Sequence, residues 1–103
     1  MNSKSQHYSG HRIRIKERFL KSQQGSFSER ELLEMMLFLS IPRKDVKPTA
    51  KLLISSFRNI AGIVNASRDK LSLNKDITKS TIINILRLKE VLDRILHGQI
   101  IQK

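Results

Sequence analysis

Ser28-Glu29-Arg30-Glu31-Leu32-Leu33-Glu34-Met35-Met36-Leu37-Phe38-Leu39 decides the fold class. Ser28 with Glu31 three residues later forms a capping box, in which the serine accepts from an amide ahead and the glutamate reaches back. Seven of the eight positions from Leu32 to Leu39 are apolar. A helix apolar nearly all round must be surrounded, so this segment is the central helix of a core. Pro42 stops it.

Downstream, Asp45 reads as the next N-cap, with Pro48 in a first turn where a missing N–H costs nothing. Leu52, Leu53, Ile54 and Phe57 supply the buried face of that third helix. Asn59 and Ser67 cap two short helical turns, around residues 60–65 and 68–71. A long final helix is expected from about Thr78 to Leu96. Its buried face is Ile82, Ile83, Leu86, Val91, Leu92, Ile95 and Leu96, and Gly98 is its stop. Upstream, His11 to Lys21 is a charged helix with a thin apolar stripe of Ile13, Ile15, Phe19 and Leu20, ended by Gln23-Gln24-Gly25. No strand is expected, and the fold class is an all-α, compact helical bundle. Residues 1–9 read as a flexible polar tail, 10–98 as the domain and 99–103 as a C-terminal tail.

The 103 residues make one domain with one modest core. The net charge of +11 is unevenly spread. Residues 1–24 carry six Lys/Arg against one Glu, residues 41–58 five against one Asp, and residues 25–40 three Glu against one Arg. Two basic segments around an acidic, apolar one suit a polyanion, although a basic surface also serves solubility. Without cysteine there is neither a disulfide nor a thiolate metal site. No run has the length of a membrane span and no signal peptide is evident, so the cytoplasm is the expected compartment.

Two places carry candidate phosphate contacts. On the first helix, Arg14 and Arg18 share a face, as do Arg12 and Lys16, and such cationic stripes neutralise a nucleic-acid backbone or are simply solvated. In the joint Ile41-Pro42-Arg43-Lys44-Asp45-Val46-Lys47-Pro48, Arg43, Lys44 and Lys47 surround a helix N-terminus whose amides favour an anion. For Arg43 the simpler reading is an internal pair with Glu31 or Glu34; for Lys44 and Lys47 it is phosphate. The histidines carry no chemistry on this reading. His7 and His11 are four apart but lack an acidic neighbour for zinc and read as mobile or surface groups, while His97 favours a helix C-terminus. Glu31 and Glu34 serve a helix start. The chain is therefore expected to be no enzyme and to need no cofactor.

Gly10-His11-Arg12, Glu31-Leu32-Leu33-Glu34 and the run Ile41–Pro48, in this order and spacing, resemble the N-terminal domain of the bacterial RadC family over about residues 10–97. The resemblance implies an association with DNA and its repair, and a helix-hairpin-helix unit in the C-terminal half. That family's domain is usually followed by a metal-dependent JAB/MPN domain with a His-x-His pair, which has no match here. The family's hairpin binds phosphate through the amides of a Gly-x-Gly turn. The matching residues here are Asp76-Ile77-Thr78: both glycines are replaced, and an aspartate stands where the phosphate would arrive, so the hairpin is degenerate. The expected function is a non-catalytic DNA-backbone-binding module of low sequence specificity. The alternative is a protein-docking domain, or a truncated remnant that does not bind DNA. The sequence leaves the oligomeric state open.

Overall fold

A computed structural model describes the backbone of residues 3–101 and the side chains of residues 10–98. Six helices follow one another: α1 (Ser3–Lys21), α2 (Glu29–Phe38), α3 (Lys47–Phe57), α4 (Ile60–Val64), α5 (Arg68–Ser72) and α6 (Lys79–Ile101). There is no strand among the described residues, so the architecture is all-α.

The helix boundaries follow local chemistry. Ser28 Oγ accepts from the Glu31 N–H at 3.1 Å and opens α2. Glu31 returns to the Ser28 hydroxyl, at 3.1 Å, where a standard capping box would engage the backbone amide. Asn59 Oδ1 accepts from Gly62 N–H at 2.8 Å and Ser67 Oγ from Lys70 N–H at 3.2 Å, so both expected caps open short helices. At α3 the expected cap moves by one residue. Val46 occupies the N-cap without a side-chain bond, while Asp45 Oδ1 accepts from Lys47 N–H at 3.0 Å. Gly25, with φ of 85°, turns the chain between α1 and α2.

Leu33 and Leu37 of α2 are fully buried and lie at the centre of the core with Ile15 of α1, Ala50 and Leu53 of α3, Ile63 of α4, Leu71 of α5 and Ile85 of α6. Helix α2 packs on α1 and α3, α3 on α4, and both short helices on α6. Polar ties align α6 with α2. Thr81 and Ser40 share a hydroxyl contact of 3.2 Å, and Asn84 Nδ2 donates to the Met36 carbonyl at 2.9 Å. The two helices thus run antiparallel.

Two expectations about α6 change. It does not stop at Gly98 but continues to Ile101, because one glycine costs a helix only about 1 kcal/mol and does not forbid it. Its buried positions are Thr81, Asn84 and Ile85, whereas Ile83, Val91, Leu92, Ile95 and Leu96 are 41–58% exposed. From Val91 onward the reason is length, since α6 has 23 residues and α2 only 10, so α6 outruns it; Ile83, between Thr81 and Asn84, lies instead on the solvent side of α6. At the other end, helical backbone begins at Ser3, inside the segment expected as a tail. The His7 side chain and residues 102–103 lie outside the described residues.

Candidate nucleic-acid interface

Arg12 organises the joint between α2 and α3. Its guanidinium donates to the carbonyls of Phe38 (3.2 Å), Ile41 and Lys44 (2.8 Å), and its Cζ lies 4.6 Å from the Phe38 ring centroid. The last carbonyls of a helix lack intrahelical donors and carry partial negative charge. Arg12 supplies both the donors and the countercharge. Burial pushes its pKa down, and the Asp45 carboxylate partly restores it. Arg12 therefore holds the joint in place and offers little of itself to a ligand.

Lys16, one turn on, lies over the same ring, with Nζ 5.8 Å from its centroid. The joint beyond presents Arg43 and Lys44, both exposed, and then Lys47 at the start of α3. None of these four makes an ion pair among the described residues. The internal partner expected for Arg43 is absent because Glu31 pairs with Arg18 (2.7 Å), while Glu34 pairs with His11 (2.9 Å) and Arg30 (3.6 Å). Arg43 also has a φ of 65°, unusual for a residue with a Cβ. Lys16, Arg43, Lys44 and Lys47 gather in this way about the C-terminal end of α2.

The helix-N-terminus part of the expected seat is weaker. Asp45 already takes the Lys47 amide, and Pro48 has none to offer. Any anion here must be held mainly by side chains.

The second cationic pair of α1 lies elsewhere. Successive residues on a helix project about 100° apart, so Arg14 and Lys16 fall on opposite sides of the buried Ile15. Arg18, on the Arg14 side, is 2.7 Å from Glu31 and lies over Phe27 at 5.0 Å. That hydrogen bond is the main cause of a lowered Glu31 pKa, helped by Ser28 and opposed by burial. The stripe read as one basic helix is thus two flanks, and only the Arg12–Lys16 flank meets the joint.

His11 is not a mobile or surface group. Helix α1 continues through Gly10, which turns His11 toward α2, where its Nε2 lies 2.9 Å from the buried Glu34 carboxylate. Its ring also meets Phe38 edge-on. The sequence makes Glu34 a helix-start charge or a partner of Arg43, and nothing local to either residue signals a partner 23 positions away.

At the turn Asn74–Thr78, Asn74 takes the amides of both Asp76 and Ile77. Its Oδ1 accepts from Asp76 N–H at 2.9 Å and its carbonyl from Ile77 N–H at 3.1 Å. Ile77 is buried and Thr78 Oγ1 accepts from Thr81 N–H at 3.2 Å, so the turn closes on itself. Asn74 ahead of Lys75-Asp76 is an Asx-turn signal that sequence reading passed over. Among the described residues, no group of three or more His, Cys, Asp or Glu could hold a metal ion, and no helix is long and apolar enough to cross a membrane.

The chain is similar to UPF0758 proteins. One, from Fusobacterium nucleatum, is 42% identical over 82 residues, which are 80% of this chain and 35% of that protein. Another, from Ruegeria pomeroyi, is 33% identical over 93 residues, or 90% of this chain and 42% of that protein. The chain thus spans less than half the length of these relatives. No family model and no solved structure matches it.

Proposed function

We propose that this chain is a RadC-like N-terminal domain that binds the phosphate backbone of DNA without base specificity and without catalysis, in the cytoplasm and in association with DNA repair. UPF0758 is a designation carried by RadC-like proteins, and the similarity covers 80–90% of the chain. The observation that carries the reading is the gathering of Lys16, Arg43, Lys44 and Lys47 about one end of α2 with no ion-pair partner among the described residues. Arg12 is the strut that keeps the joint there. Phosphate contacts of this kind position a protein on nucleic acid without reading sequence. The absence of catalysis is supported by the carboxylates of the central helix, since Glu31 and Glu34 are engaged by Arg18, His11 and Arg30.

Fluorescence anisotropy against duplex, single-stranded and branched DNA at several salt concentrations tests this. Four phosphate contacts give a log–log salt slope of about −3.6 on duplex. Replacing Lys44 and Lys47 together by Ala should reduce the slope by about 2, while replacing Arg14 and Arg18 should leave most of it. A folded sample with no salt-dependent affinity for any of the three DNAs refutes the proposal.

A further inference from the structure

Where α6 outruns α2, its apolar face is uncovered. Val91, Leu92, Ile95 and Leu96 are 48, 41, 50 and 58% exposed, at spacings that place them on one side of the helix. Leu92 and Leu96 also form one wall of a groove of about 490 Å³ whose other wall is Ile60 and Val64 of α4. Glu29, Lys89 and Asp93 line its rim.

We propose that this face is a two-fold interface between two copies of the chain, formed by antiparallel pairing of their α6 helices, with each helix covering the groove of the other. The charge pattern selects the occupant. The chain carries +11, yet residues 88–98 hold two cations, Lys89 and Arg94, against two carboxylates, Glu90 and Asp93. Two copies that repel elsewhere can meet here without a charge penalty. Lys89 and Asp93 lie on the groove side of α6, one turn apart and 3.7 Å from each other. A two-fold axis crossing α6 near Val91 exchanges their positions, so Lys89 of each copy faces Asp93 of the other. In antiparallel pairs the same flank of each helix meets its own counterpart, so this match occurs twice. An acidic partner would meet Glu29 and Asp93, and nucleic acid would find no surplus of positive charge. The interface lies at the Glu29 end of α2, opposite the cationic cluster beyond Phe38, and does not depend on DNA binding.

The chain has no cysteine, so a single introduced one reports its own surroundings. Oxidation of the full-length Leu92→Cys variant, whose new thiol lies near the axis, should give a disulfide-linked dimer. Leu73→Cys, 81% exposed on the hairpin, should not. In sedimentation equilibrium the parent should approach twice its 11.9 kDa as concentration rises. Lys89→Asp and Asp93→Lys should each weaken association about tenfold, and the two together should restore it. A parent that stays monomeric at every concentration, equal cross-linking at both cysteine positions, or no recovery in the double variant would overturn the proposal. Circular dichroism of each variant confirms that the fold persists.

Discussion

Replacing Arg12 by Ala separates a structural strut from a ligand contact. The guanidinium makes hydrogen bonds to three carbonyls and stacks on Phe38. The Lys44 bond is exposed, and water replaces it with little loss, whereas those to Phe38 and Ile41 are partly buried. Two such bonds at roughly 1–1.5 kcal/mol each, plus about 0.5–1 kcal/mol for the stacked cation, give a loss near 3 kcal/mol. In a domain of this size that lowers Tm by about 12–20 °C. Urea denaturation followed by circular dichroism, with Arg12→Lys alongside, measures it. An ammonium cannot span three acceptors as a planar fork does, so lysine should recover only about 1 kcal/mol. An Arg12→Ala variant that is as stable as the parent but has lost DNA affinity would refute the reasoning and make Arg12 a phosphate contact.

Four further outcomes follow from the packing. The Glu31 pKa is lowered in the folded chain, so its stabilisation is fully present above the unfolded carboxylate range and lost as pH falls through the folded value. Urea midpoints measured downward from about pH 5 should therefore fall less steeply in Arg18→Ala than in the parent. His11→Ala leaves buried Glu34 with only the 3.6 Å contact to Arg30 and should cost about 2 kcal/mol in urea denaturation at neutral pH. Gly62→Ala would set a Cβ 2.0 Å from the Phe57 carbonyl oxygen, so the α3–α4 connection must shift; a thermal melt should show a loss of about 2–3 kcal/mol. At the same connection Arg58 has φ 80° and ψ −52°, with Asn59 N–H donating to the Phe57 carbonyl at 3.0 Å. That is a strained γ-turn, and Arg58→Gly should gain about 1 kcal/mol in the same melt.

What could be read from the sequence was local. Ser28, Asn59 and Ser67 opened helices as caps because a cap is decided within three residues. The central place of α2 followed from an apolar surface that left no side for solvent. Facts that require a second element were hidden. The periodicity of α6 marked its apolar face but carried no information on where α2 ends, so Val91, Leu92, Ile95 and Leu96 were expected to be buried. Charge counting could not separate Arg12, bound to three carbonyls, from Arg43, which reaches solvent. Spacing on α1 named the pairs Arg12–Lys16 and Arg14–Arg18, but only the burial of Ile15 between them put the pairs on opposite flanks.

The Arg12 tie also makes the joint a dependent of the N-terminal helix. Its acceptors lie 26 to 32 residues away, so when α1 detaches in a local opening the Phe38, Ile41 and Lys44 carbonyls lose their donor together. Amide hydrogens of α1 and of the joint should then exchange as one cooperative unit. An anion seated on Lys16 and Lys44 bridges that unit, and by linkage would slow its exchange in proportion to occupancy. Protection of α1 would become a gauge of binding at the joint, readable at amides that touch no ligand.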